Sequence, residues 1–220
     1  MLRILTNQNF KTQKMPEDFL KYQRKSFIKI GGIYFWTATI NNRYTLLEDD
    51  HCKKIIIDSL AYLTATNKIT VYAFVVMPNH IHLIWQIHEL NGKETAQGSF
   101  LKYTAHAFKK YLVQNNPEFL KLFAVNAENK KYEFWQRDSL AFELIKFETA
   151  IQKLNYIHSN PVSKKWNLAI DREKYFYSSA NFYENGISEF GFLKNLVDFL
   201  EEFDSISMVR EDTNHGEALI

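Results

Sequence analysis

The sequence predicts an α+β fold, a ferredoxin-like antiparallel sheet with helices on one face. Three observations lead there. Segments 32–40, 68–77 and 80–87 are short runs rich in aromatic and β-branched residues, as strands are. Longer segments between and after them carry apolar residues at helical spacing. The resulting order, βαββαβα, suits an antiparallel sheet covered by helices.

The elements follow in order. Gly32-Ile-Tyr-Phe-Trp-Thr-Ala-Thr-Ile40 reads as a strand closed by Asn41-Asn42. Segment 48–66 reads as a helix, with Ile55, Ile56, Leu60 and Leu63 as its apolar stripe and Asp49 and Asp50 in its first turn. Segment 68–77 is the second strand; Pro78-Asn79 turns the chain, and 80–87 runs back beside it as the third. After a polar loop, 99–114 is a second helix with Phe100, Leu101, Ala105, Phe108 and Leu112 facing inward. Segment 117–129 is an irregular or partly helical insertion. Tyr132-Glu-Phe-Trp-Gln-Arg137 is expected to be the fourth strand. Segment 144–159 is a third helix, stopped near Asn160 because Pro161 disfavours helical geometry in the residue before it. A covering loop to Gly186 and an amphipathic helix over 190–203 complete the chain.

Composition narrows the class. The 220 residues are 46% hydrophobic and 24% charged, an ordinary soluble balance. The net charge of +2 hides an asymmetry. Segment 1–30 holds seven Lys or Arg against two acidic residues, and 189–220 holds eight Asp or Glu against two basic ones. A basic front and an acidic tail fit a polyanion-binding body, although solvated faces give the same pattern. The one cysteine, Cys52, excludes an internal disulfide framework. No apolar run approaches the ~18 residues of a membrane span, so an intracellular protein with no membrane partner is expected.

The chemistry concentrates in two places. In His80-Ile81-His82, strand alternation turns both imidazoles to one face, about 7 Å apart at the α-carbons. Two imidazoles on a helix-covered face could hold one divalent ion, a transition metal or, with oxygen co-ligands, Mn²⁺ or Mg²⁺. In Tyr156-Ile-His-Ser-Asn160, Tyr156 and Asn160 are neighbours on one helix face. Tyr156 is then a candidate nucleophile and the Asn160 carbonyl a candidate third metal ligand. The plainer alternatives are core histidines, a half-buried tyrosine and an asparagine that merely ends a helix. His158 points elsewhere and is read as a DNA-contact or structural residue.

The motifs Tyr34-Phe-Trp-Thr37, Val76-Met-Pro-Asn-His-Ile-His-Leu83, Phe100-Leu-Lys-Tyr103, Phe134-Trp-Gln-Arg137, Tyr156-Ile-His-Ser-Asn-Pro-Val162 and Tyr177-Ser-Ser-Ala180 stand in one order. Together, over 31–183, they resemble the REP-associated tyrosine transposases. That family is a branch of the one-tyrosine, His-hydrophobic-His (HUH) transposase and endonuclease superfamily. The resemblance implies a catalytic domain over 31–186, between a basic extension (1–30) and a C-terminal helix with acidic tail (187–220). It implies His80 and His82 as metal ligands and Tyr156 as the nucleophile. The implied activity is single-strand DNA nicking and rejoining through a 5′-phosphotyrosine on hairpin DNA, by a monomer or homodimer in the bacterial cytoplasm. After Asn-Pro-Val the family has Arg-Ala-Gly, whereas this chain has Ser163-Lys164-Lys165-Trp166.

Candidate phosphate contacts are Lys102, Lys109, Lys110, Lys130, Lys131, Arg137, Lys164 and Lys165. Tyr103, Phe134 and Trp135 either stack on bases or pack in the core. Two other readings remain at this level. One is a non-catalytic, domesticated nucleic-acid-binding module on the same fold. The other is a hydrolytic phosphoesterase, for which a second His-X-Ser/Thr motif is missing.

Overall fold

Alternation along the strands assigns each residue to one of two faces. A computed structural model describes residues 28–128, 130–137 and 139–200. Its main sheet has four antiparallel strands in the order β2-β3-β1-β6. These are β1 (Ile33–Thr39), β2 (Ile69–Met77), β3 (His80–Ile87) and β6 (Leu140–Glu143). The two residues Pro78 and Asn79 connect β2 to β3, so Met77 pairs with His80 and the hairpin register is fixed at its tip. That register continues to β1, where Thr37 lies opposite His82 and Thr39 opposite His80.

On one face Trp36, Ala38, Phe74, Val76, Leu83 and Trp85 form the larger core. Two helices cover it: α1 (Asp50–Ala65) through Cys52, Ile56, Leu60 and Leu63, and α2 (Ala96–Asn115) through Phe100, Phe108 and Leu112. Each helix begins on a side-chain cap: the Asp49 carboxylate accepts from the His51 and Cys52 amides, and the Thr95 hydroxyl accepts from the Gly98 amide. On the other face Phe35, Val75, Met77 and Ile84 meet a third helix, α4 (Phe147–Ser159), through Ala150, Leu154 and Ile157. The expected antiparallel α+β sheet is therefore present. Helices α1 and α2 supply the layer on one face, and α4 adds a layer on the other.

The fourth strand differs from the one expected. Segment 132–137 makes a single bridge just past the end of β1, Ile40 to Trp135, and the sheet edge is taken by Leu140–Glu143 instead. Phe134 and Trp135 are consecutive and both buried in the larger core, which a strand alternating between faces does not allow. Helix α4 starts three residues later than expected because Leu144 still donates its amide to the Ile33 carbonyl. It ends at Ser159 as expected, with Asn160 keeping helical angles as the C-cap. The insertion resolves into α3 (Pro117–Lys121) and a small hairpin of β4 (Ala124–Ala127) and β5 (Lys130–Tyr132). A short helix, α5 (Ala180–Asn185), follows the covering loop. Of the helix expected over 190–203, residues 196–200 are helical; its end, the acidic tail beyond 200 and the basic leader before 28 lie outside the described residues.

Candidate active site

Both histidines project from β3 toward α4, and each has its Nδ1 held. The His80 Nδ1 donates to the Asn79 side-chain oxygen at 2.8 Å. The Asn79 amide orientation is itself set, because its Nδ2 donates to the Arg43 carbonyl at 3.1 Å. The Nε2 of His80 is thereby left with its lone pair. The His82 Nδ1 lies 2.7 Å from the Thr37 hydroxyl, the cross-strand neighbour that the register places opposite it. With that hydroxyl accepting, the His82 Nε2 also carries a lone pair. It is buried and has no hydrogen-bond partner among the described residues.

A buried polar atom without a partner is uncommon and calls for a physical reason. The two imidazole rings stand 4.7 Å apart and 77° to one another. Burial pushes the His80 imidazole down to about 4, helped by the Lys165 and Arg43 charges. His82, 4% exposed, is held well below the usual histidine range by burial and then by His80 and Lys153. Both rings are neutral near pH 7, the form in which imidazole nitrogen binds a metal. Fixed Nδ1 hydrogen bonds of this kind orient a ligating ring and select Nε2 for the ion.

Helix α4 brings the other groups to the same place. Its buried stripe of Ala150, Leu154 and Ile157 seats it on the sheet, and Tyr156 lies over His82. The Tyr156 ring lies 5.3 Å from the His82 ring and 5.9 Å from that of Phe35, which stacks on His82 at 5.4 Å. Tyr156 remains 40% exposed, so an incoming strand can reach it. One chain is enough to bring the tyrosine and both imidazoles together. Asn160, one turn further on, donates its side-chain amide to the Tyr156 carbonyl at 2.8 Å, which leaves its side-chain oxygen as an acceptor. No group of three His, Cys, Asp or Glu able to hold a metal stands among the described residues. A third protein donor would therefore be an amide or hydroxyl oxygen.

Lys153 was not singled out in the sequence, yet it belongs here. It is 5% exposed, with its Nζ 4.8 Å from the Phe35 ring, 5.7 Å from Phe142 and 5.8 Å from Tyr156. Burial lowers its pKa below the usual lysine range. The signal was available: Lys153 precedes Tyr156 by three residues, hence shares its face, and interrupts an apolar stripe.

The remaining candidates are distributed unevenly. Lys164 and Lys165 follow α4 and are exposed, and Lys165 is close enough to act on His80. Lys102, Lys109 and Lys110 lie on α2, across the sheet from the histidines. Lys102 pairs with Glu94 at 2.6 Å, and Lys109 lies 5.5 Å from the Tyr132 ring centre. Arg137 and Lys130 share Glu133, at 3.2 Å and 2.7 Å. Trp135 is a core residue whose indole donates to the Thr104 hydroxyl, Phe134 packs beside it, and Tyr103 is exposed. Of the two readings of His158, DNA contact or structural residue, its burial fits the second and not the first: it is 2% exposed, with Nε2 2.8 Å from the Ser179 hydroxyl. Ser179 in turn receives the Phe74 amide, so the pair pins α4 and the covering loop to β2.

The chain is thus an α+β fold in which a His-X-His pair on an antiparallel sheet lies under a tyrosine-bearing helix. Among solved structures, the chain is similar to a REP-associated tyrosine transposase bound to a REP hairpin. That similarity has a TM-score of 0.52 and 17% identity, and covers 78% of this chain and 91% of the other. A second structure, provisionally described as a transposase from Deinococcus radiodurans R1, gives 19% identity over 61% of this chain and 94% of its own. Its TM-score of 0.34 is too low to weigh. No protein-family model and no curated protein matches the sequence. At such identity the first structure establishes the fold.

Proposed function

We propose that this chain is a metal-dependent, transposase-type enzyme. In this reading it nicks and rejoins single-stranded DNA beside a hairpin, with Tyr156 as nucleophile. One observation carries the reading: the Tyr156 ring lies against His82, whose buried Nε2 faces no donor. His80 and His82 would hold the ion through Nε2, with the Asn160 side-chain oxygen as third donor; the Nδ1 bonds, the neutral rings and the orphaned nitrogen all fit. When bound, Mg²⁺ or Mn²⁺ supplies charge neutralisation at a non-bridging phosphate oxygen.

The residues of the chain do the rest. Helix α4 presents the Tyr156 oxygen to the phosphorus, which saves the entropy of bringing nucleophile and backbone together. The phenol proton passes to solvent, the Tyr156 oxygen bonds to phosphorus, and the bond to the 3′-oxygen breaks. The departing 3′-oxygen takes a proton from solvent. A 5′-phosphotyrosine and a free 3′-hydroxyl result. The ester keeps the energy of the broken bond, so a 3′-hydroxyl can reverse the step and rejoin strands without another energy source. An exposed, bendable single strand is the substrate that fits a tyrosine fixed on a helix. The hairpin bound by the structural neighbour supports a hairpin flank.

The test uses labelled single-stranded hairpin DNA with Mn²⁺ or Mg²⁺, run on a denaturing gel. A protein–DNA adduct is expected, and Tyr156→Phe should abolish it while leaving hairpin binding nearly unchanged. An undiminished adduct in that variant removes Tyr156 from the chemistry. Binding that never leads to an adduct under any metal condition makes the chain a DNA-binding module.

A further inference from the structure

The segment after α4, Ser163-Lys164-Lys165-Trp166, forms a second feature beside the histidines. Its backbone is closely tied: the Ser163 amide donates to the Asn160 carbonyl, the Trp166 and Asn167 amides to the Ser163 carbonyl, and the Leu168 amide to the Pro161 carbonyl. Asn167 takes a φ of +46° to close this turn, a conformation that asparagine tolerates better than most residues. The Trp166 ring is thereby held 5.7 Å from that of His80, inclined at 46°, and is only partly buried. The Lys165 Nζ lies over the Trp166 ring, 5.0 Å from its centre.

A third group approaches from another part of the chain. Arg43 follows β1 in a turn where Asn42 and Arg43 both have positive φ, and its carbonyl is fixed by the Asn79 side chain that also holds His80. Lys165 thus lies over the ring that faces His80, and Arg43 is joined to His80 through Asn79. One aromatic plane and two cations therefore border the histidine pair, on the side reached by the chain after α4. Neither Lys165 nor Arg43 has an ion-pair partner among the described residues.

From this juxtaposition we infer that Trp166, Lys165 and Arg43 form a subsite for one unpaired nucleotide adjoining the scissile phosphate. The base stacks on Trp166, taking the place of the Lys165 ammonium, and its phosphate lies between Lys165 and Arg43. Stacking on an aromatic ring tolerates any base, because every base has a π-face, while the cations bind backbone without reading sequence. The subsite thus fixes the register of the strand over the histidines and leaves sequence choice to other surfaces. This rests on the nicking reading for the position of the scissile phosphate.

The experiment separates the two claims. Adducts of the unaltered protein map the cleaved linkage. Hairpin affinity is then measured in a Tyr156→Phe background, which keeps the strand whole. An abasic nucleotide next to the cleaved linkage is expected to weaken binding about tenfold or more, as loss of a stacked base does. Adding Trp166→Ala should weaken intact DNA to a similar degree and make binding indifferent to the abasic change. A methylphosphonate at the flanking phosphate should likewise cancel the effect of Lys165→Gln, an exposed change that leaves the fold intact should Trp166→Ala fail to fold. Effects that multiply independently, or a Trp166→Ala variant with undiminished affinity, overturn the subsite. An adduct that survives Tyr156→Phe overturns Tyr156 as the nucleophile instead and leaves the binding comparison standing.

Discussion

Among individual residues, Lys153 makes the sharpest demand for explanation. Lysine is seldom fully buried, and here the ammonium lies among Phe35, Phe142 and the Tyr156 ring at a cost that lowers its pKa. In the proposed reaction, a positive charge beside the Tyr156 ring would favour the extra negative charge that builds as phosphorus is attacked. Lys153→Met is expected to reduce adduct formation on the order of 100-fold while leaving the melting temperature nearly unchanged, because methionine keeps the packing of the aliphatic stem. Adduct kinetics and thermal unfolding check both halves, and a variant that loses stability in step with activity would give Lys153 a purely structural role. His80, His82 and Tyr156 were legible in the sequence because period two and period four place them unambiguously. Lys153 was not, since a lysine in a helix reads as a solvated charge until the packing beneath it is known.

Helix α4 works as an element because both its ends are fastened. Its stripe of Ala150, Leu154 and Ile157 sits on the sheet, and His158 reaches Ser179 to join β2 and the covering loop. Burial pushes the His158 imidazole down to about 3, aided by Arg172. The unfolded chain, with histidines near about 6.5, binds more protons than the folded one between those values. The stability due to a neutral His158 is therefore present above pH 6.5 and is lost as pH falls toward 3, amounting to a few kcal/mol. His80, pushed down to about 4, acts in the same sense. Urea unfolding should show stability falling between pH 6.5 and 4, with a shallower slope in His158→Gln. An unchanged slope in that variant would show that His158 is protonated in the fold.

The start of α4 and the identity of the fourth strand were the weakest parts of the sequence reading. Adjacent Phe134 and Trp135 supplied a strong aromatic signal that belongs to the core. The true edge, Leu-Ala-Phe-Glu over 140–143, is three half-covered residues and an exposed glutamate with little pattern of their own. Tertiary packing decided between them, and no local propensity expresses that.

Over the whole molecule, the sheet is a partition. The larger core with α1 and α2 lies on one side, and the histidines, α4 and the Lys165–Trp166 turn lie on the other. The sequence grouped lysines of both sides, Lys102, Lys109 and Lys110 with Lys164 and Lys165, as candidate phosphate contacts because it has no information on which side of a sheet a helix packs. The partition predicts that they separate. Lys164→Gln with Lys165→Gln should lower the dependence of log affinity on log salt by about 1.4 for a single strand. Changing Lys102, Lys109 and Lys110 together should leave that slope nearly unaltered. A titration of hairpin affinity against salt distinguishes the two sets, and equal slopes would place DNA on both faces.

The central claim is that the Tyr156 oxygen becomes bonded to DNA phosphorus. Protease digestion of the adduct followed by mass spectrometry reads this directly. The account predicts a nucleotide attached to the peptide containing Tyr156 and to no other; a nucleotide on any other residue would contradict it.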